Sequence, residues 1–213
     1  MTKNQKFIVI EGNIGAGKTT LSKMIAKEYD ATLVLENFAD NPFLPKFYAE
    51  PEKFAFQLET SFLIDRYDQL KKYLHTTDMF KDFLISDYFF SKSLIFAKNT
   101  LKDDEFNLYR KMFWLIYKSV PKPDLYVYLH LPIEKLMKNI EKRARDYEKY
   151  ITPKYLETIQ NAYFDFFREQ KDIKFLIIDT NNIDFVANKK HYDLMKEIIF
   201  KENYQIGINT IIT

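Results

Sequence analysis

The sequence predicts an α/β fold, a five-stranded parallel sheet covered by helices on both faces and carrying a helical lid. Three observations predict it. Short β-branched runs alternate with stretches of helical periodicity, the pattern of a sheet buried on both sides. Glycine is scarce, 4 residues in 213, and three of the four (Gly12, Gly15 and Gly17) fall within six positions. Those three belong to Gly12-Asn13-Ile14-Gly15-Ala16-Gly17-Lys18-Thr19-Thr20. This is G-x-x-x-x-G-K-T set between an apolar strand and a helix, the context that a phosphate-binding loop requires.

The elements follow in chain order. Lys6–Ile10 is a short β-branched run and reads as the first strand, while Leu21, Met24 and Ile25 have the spacing of one helix face. Thr32–Leu35 reads as the second strand. Pro51-Glu52 opens a long periodic stretch to about Leu74, and Phe83–Ser86 gives a third strand. Leu125–Leu129 and Phe175–Ile178 complete the five, with Pro132 and Pro153 placed where helices start. The tail from Tyr204 to Thr213 is apolar enough to pack but receives no element. With no repeat, low-complexity tract or linker, residues 1–213 are expected to form one domain.

Composition excludes several classes of function. Hydrophobic residues make up 46% and charged residues 29%, the proportions of an ordinary globular protein. Thirty-two basic residues against 30 acidic ones leave a charge of +2, so electrostatics gives no reason to expect nucleic acid or a membrane as partner. There is no cysteine, which removes disulfides, thiolate metal sites and thiol nucleophiles. A short polar start and the lack of any membrane-length apolar run make a cytoplasmic protein the expectation.

The loop itself implies a nucleoside triphosphate. Backbone N–H groups from Asn13 through Ile14, Gly15, Ala16, Gly17 and Lys18 to Thr19 are expected to face phosphates at the positive end of the following helix, which continues through Thr20. Lys18 is expected between the β and γ phosphates, and the Thr19 hydroxyl as a ligand of Mg²⁺. No glycine occurs between Gly17 and Gly207, which excludes the D-x-x-G of GTPase switches and the glycine signature of transporter ATPases. A small kinase remains.

In open α/β sheets the ligand lies at the carboxyl ends of the strands. Glu36 follows the second strand, where a carboxylate beside the loop could take a proton from an attacking hydroxyl, or be a surface acid. Asp87 follows the third strand and could support Mg²⁺, cap the next helix, or both. The run Lys142-Arg143-Ala144-Arg145-Asp146-Tyr147-Glu148-Lys149 reads either as a solvated helix end or as an arginine clamp on a transferring phosphoryl group.

Taken together, these residues resemble the deoxynucleoside kinases, in blocks from about Phe7 to Phe185. G-N-I-G-A-G-K-T-T is nearly that family's loop. The resemblance implies a P-loop kinase fold, ATP as phosphate donor with Mg²⁺, and a deoxynucleoside acceptor. It also implies Glu36 as general base on the 5′-hydroxyl and Tyr48 on the sugar 3′-hydroxyl. Phe54-Ala55-Phe56-Gln57 is similar to the family's F-Q signature, whose glutamine pairs with the base. Arg143-Ala144-Arg145-Asp146-Tyr147-Glu148 looks like its R-x-R-x-x-E lid, spanning about 143–151. That match assigns Arg143 and Arg145 to the donor phosphates and Glu148 to the 3′-hydroxyl. Asp184 and Phe185 resemble the residues bordering the donor adenine, in a loop with one extra residue. Family members are commonly homodimers, and the aromatic-rich stretch Phe106–Val120 is either that surface or core.

The chain departs from the family in three places. Where an acid-Arg-Ser triplet is usual it has Asp87-Tyr88-Phe89, with Lys92 one helical turn later as a cation that could supply the lost charge. Asn139 replaces a lid-helix arginine. One base-gripping position falls at Ile64, so the preferred base stays open. The expectation is a Mg²⁺- and ATP-dependent deoxynucleoside 5′-kinase. The rivals are a nucleoside monophosphate kinase of the thymidylate type and a non-catalytic ATP sensor.

Overall fold

The computed structural model describes residues 6–37, 41–75, 83–201 and 203–213. Phe7–Gly12 (β1) is buried at every position, as its apolar run demands. The phosphate-binding loop follows and leads into α1, Lys18–Glu28. After Thr32–Val34 (β2) come a short helix, Leu44–Ala49 (α2), and the long helix Pro51–His75 (α3). Leu84–Ser86 (β3) leads into Lys92–Thr100 (α4) and Asp103–Tyr117 (α5). Leu125–His130 (β4) precedes Ile133–Arg143 (α6), which ends where Ala144 takes the left-handed conformation, φ 52°. A 3-10 turn, Asp146–Tyr150, joins it to Pro153–Glu169 (α7). Lys174–Asp179 (β5), Lys189–Lys201 (α8) and Gly207–Ile212 (β6) complete the described elements.

The strands form one parallel sheet in the order β2-β3-β1-β4-β5-β6. The five expected strands are present within two residues of their expected ends, but the sheet has six strands among the described residues. The sixth comes from the tail, and its six residues pair in register with β5. Its inward positions are Gly207, Asn209 and Ile211, while Ile208 and Ile212 face out. Polarity therefore does not alternate along β6, and the period-2 signal of a half-buried strand is lost.

Side-chain alternation divides the core. Phe7, Val9, Tyr126, Tyr128, Phe175 and Ile177 point to the face covered by α3, α4, α5 and α7. Ile8, Ile10, Leu125, Val127, Leu129, Leu176 and Ile178 point to the face covered by α1, α6 and α8. The first face is an aromatic core, in which Phe167 lies 4.6 Å from Phe175 and 5.2 Å from Tyr128, centroid to centroid. From β1 the chain turns one way to β2, and from β3 it crosses to β4 on the other side. That reversal opens a crevice at the carboxyl ends of β1 and β3, where α/β sheets take their ligands.

Candidate active site

The loop between β1 and α1 is held from three directions. Asn13 is 1% exposed, and its side-chain amide donates to the Leu156 carbonyl of α7 at 2.7 Å. Its Oδ1 accepts from the Ile14 N–H at 2.8 Å, and its carbonyl accepts from the Ala16 N–H at 3.2 Å. Of the amides expected to face phosphate, those two are thus bonded within the loop, and the Asn13 side chain is a strut. Asn139 of α6 donates to the Gly15 carbonyl at 2.8 Å. Gly17 has φ +87°, and a Cβ there would sit 2.9 Å from the Phe185 ring, so only glycine fits.

Lys18 Nζ donates to the Asn13 carbonyl at 2.9 Å. Burial, and next the Lys92 ammonium, push Lys18 down to about 8. Below the loop lies Glu11, fully buried at the end of β1. It accepts from the Phe89 N–H and the Tyr163 hydroxyl, both at 3.0 Å, and burial raises its pKa.

Asp87 and Glu36 meet beside Thr19. Asp87 is 5% exposed, accepts the Thr19 hydroxyl on one oxygen, and accepts the Glu36 N–H on the other at 2.8 Å. Thr19 and Asp87 thereby bring two hard oxygen donors together at the loop. That donor set fits Mg²⁺, which takes few protein ligands and fills its shell with water and nucleotide phosphates.

The Glu36 side chain is 11% exposed and lies between two cations. Arg66 of α3 donates to its Oε1 through Nε (3.0 Å) and Nη2 (2.8 Å), and through Nη1 to the Ser93 hydroxyl (2.9 Å). Lys92, in the first turn of α4, donates to its Oε2. Burial alone would raise the Glu36 pKa. Lys92 and Arg66 outweigh that and hold it at about 2.

The other predicted residues form two further groups. Arg143 makes two bonds to Glu148, Nε–Oε2 at 3.0 Å and Nη2–Oε1 at 2.5 Å, and Arg145 lies 3.6 Å from the same carboxylate. The lid arginines thus converge on Glu148, itself 6% exposed. Phe185 packs on Gly17 in a cleft of about 870 Å³, lined also by Thr20, Asn139, Arg143 and Asp184. Asp184 shapes that loop by accepting the Val186 and Ala187 N–H groups at 3.1 and 2.9 Å.

On the acceptor side, Phe56 packs half-buried against the aromatic core, while Gln57 and Ile64 are exposed on α3. Tyr48 falls in α2, with its side chain outside the described residues. Tyr88 is fully buried and donates its hydroxyl to Gln69 at 2.8 Å, so position 88 faces the core.

Sequence reasoning missed Arg66 as a partner of Glu36, Glu11 as the anchor under the loop, and the strut role of Asn13. Only Arg66 left a signal, a cation on a helix face that otherwise becomes core at Leu63 and Leu70.

Known proteins resemble this chain along most of its length. The chain matches the family model for deoxynucleoside kinase over residues 8–203. It is 37% identical over 194 residues to a deoxyguanosine kinase of Bacillus subtilis, covering 88% of this chain and 92% of that one. A deoxyadenosine kinase of Dictyostelium discoideum is 34% identical over 164 residues, 76% of this chain and 66% of its own length. The solved structure of deoxyadenosine kinase from M. mycoides with bound dCTP superposes with a TM-score of 0.77 at 25% identity, over 92% of this chain and all of that one. The chain belongs to the deoxynucleoside kinase family and is a phosphotransferase.

Proposed function

We propose that the chain transfers the γ-phosphoryl group of ATP to the 5′-hydroxyl of a purine deoxynucleoside, deoxyguanosine ahead of deoxyadenosine. The observation that carries the neutral acceptor is the engagement of Arg66. All three of its nitrogens are bonded, to Glu36 and Ser93, and its side chain is 5% exposed. An acceptor that already carried a phosphate would need arginine there. What stands there is a carboxylate, the group suited to a hydroxyl. Purine preference is supported by the relatives named as deoxyguanosine and deoxyadenosine kinases.

In the proposed mechanism Glu36 accepts a hydrogen bond from the 5′-hydroxyl and orients its oxygen in line with the γ-phosphorus. The new P–O bond forms as the bond to ADP breaks, and the proton passes to Glu36. A carboxylate held at about 2 is a weak base. A loose transition state asks little of it early, because the hydroxyl becomes strongly acidic only as its oxygen bonds to phosphorus. Lys18, Arg143 and Arg145 stabilise the charge on the phosphoryl oxygens. For the two arginines this means exchanging Glu148 for phosphate, which frees Glu148 to reach the sugar 3′-hydroxyl. Tyr48 and Gln57 are assigned to sugar and base, and Asp184 and Phe185 border the adenine. Thr19 and Asp87 would hold Mg²⁺, which would neutralise phosphate charge when bound.

Among the described residues no helix is long and apolar enough to cross a membrane. We assign the chain to the cytoplasm as a homodimer, with Leu108, Trp114 and Leu115 exposed on α5 as the apolar surface. Sedimentation as a 25.6 kDa species alone would exclude the dimer. The reaction is tested by ATP-dependent ADP release with each of the four deoxynucleosides and with thymidine monophosphate. Turnover on deoxyguanosine and not on the monophosphate is expected. Turnover on the monophosphate alone would overturn the reading of Glu36.

A further inference from the structure

We infer that Lys92 contacts the transferring phosphoryl group, leaving Glu36 for the γ-phosphate as ATP binds. This rests on the phosphoryl-transfer reading above and extends it to a residue with no assigned role there.

Four observations support it. First, Lys92 belongs to the site by position. It stands in the first turn of α4, directly after the β3 end that supplies Asp87, and is 8% exposed. A buried lysine is retained only when its charge has a partner. Second, its contacts lie on the reaction coordinate. Nζ donates to Glu36 Oε2, the oxygen that Arg66 leaves open, since both Arg66 bonds to the carboxylate go to Oε1. Oε2 is therefore the oxygen placed to receive the hydroxyl, and Lys92 takes one of its acceptor positions. Third, the Lys92 ammonium acts on the Lys18 ammonium against the opposing pull of Glu11, Glu36 and Asp87, and both ammonium groups act on Glu11 below the loop. Two buried ammonium groups near each other repel, and an anion bonded to both removes that repulsion. With Lys18 assigned to the β and γ phosphates, the γ-phosphate is that anion. Fourth, position 88 supplies no charge to the site, because the Tyr88 side chain is fully buried and bonded to Gln69.

The exchange is small in distance and large in consequence. An ammonium carries three N–H donors on a flexible stem. The Lys92 ammonium itself lies 5.3 Å from the Phe96 ring centroid, a cation–π contact that holds the head at the site beside Glu36. Moving Nζ to the γ-phosphate frees a further acceptor position on Oε2 and removes a competing donor, while Arg66 keeps the carboxylate oriented. Donor binding thus prepares the base.

The test compares the wild-type chain with Lys92→Met and Lys92→Arg. Affinities for ADP and for the non-hydrolysable β,γ-imido analogue of ATP are measured by calorimetry, and phosphoryl transfer by single turnover. A contact to the γ-phosphate predicts that Lys92→Met loses roughly 10–100-fold in affinity for the triphosphate analogue, as for loss of a charge-assisted bond. Affinity for ADP stays within about threefold. The transfer rate falls roughly 10²–10³-fold, as for loss of an oxyanion donor, and Lys92→Arg recovers part of both losses. Equal weakening of ADP and triphosphate would overturn the inference and leave Lys92 a support for Glu36. Unchanged affinities would overturn it as well. The ratio of the two affinities needs no acceptor, so it reports on Lys92 even if the wild-type chain fails on every deoxynucleoside, the outcome that would instead sink the proposed reaction.

Discussion

Glu59 lies on α3, two turns before Arg66, with 4% of its surface exposed and its Oε2 unbonded among the described residues. Burial pushes its pKa from 4.5 up to about 7, against the Arg66 guanidinium and the Thr100 hydroxyl, which pull it down. The folded chain therefore keeps a proton that the unfolded chain releases. Stability from this group is complete below about pH 4.5 and is lost as pH rises through about 7. The interval corresponds to roughly 3 kcal/mol once both states are ionised, and to under about 1 kcal/mol at pH 5. Glu59→Gln keeps the shape and cannot ionise. Chemical denaturation of both proteins at pH 5 and pH 8 should give similar stabilities at pH 5. At pH 8 the variant should be more stable by about 3 kcal/mol, or roughly 6–12 °C in Tm for a chain of this length. Parallel profiles, with the same difference at both pH values, would refute the argument that this carboxyl titrates late in the fold.

Three substitutions probe the site itself. Glu36→Gln should lower kcat roughly 10²–10⁴-fold with nucleoside affinity largely kept, and steady-state kinetics showing unchanged turnover would remove Glu36 from the chemistry. Arg66→Lys keeps the charge but cannot reach Glu36 and Ser93 together. Its kcat should fall at least about tenfold while KM for ATP stays put, and full activity would show that the guanidinium fork is dispensable. Gly17→Ala forces a Cβ to within 2.9 Å of Phe185 at φ +87°. Nucleotide affinity measured by calorimetry should drop at least about tenfold, for a backbone strain of about 1–2 kcal/mol plus the displaced ring. Wild-type affinity would mean that the ring simply yields.

What could be read from the sequence was what a short window contains. The loop, Glu36 and Asp87 each sit within two residues of a strand end, and a parallel sheet sends all its strand ends to one side. Finding the strands therefore finds the acids. Arg143, Arg145 and Glu148 were legible for the same reason, as three charges within six residues, although only the structure shows them meeting. The unread part depends on distant pairing. Asn13 reads as a phosphate-loop residue until Leu156 is found 143 positions away, accepting from its amide. Arg66 and Glu36 are separated by 30 positions and Lys92 and Glu36 by 56, and no local periodicity links a helix face to the end of β2.

That distinction has a physical consequence for the chemistry. Glu36 and Asp87 are placed by strands, whose register is fixed by the sheet. Arg66 and Lys92 are placed by α3 and α4, whose position is set by the packing of Leu63, Leu70, Ile95 and Ala97 in the aromatic core. A carboxylate on a rigid strand end between cations on separately packed helices has a charge environment that helix packing controls. Since Lys92 bonds the oxygen that Arg66 leaves open, the two helices do not serve the carboxylate in the same way. The α3 cation fixes its orientation, and the α4 cation governs when it is available.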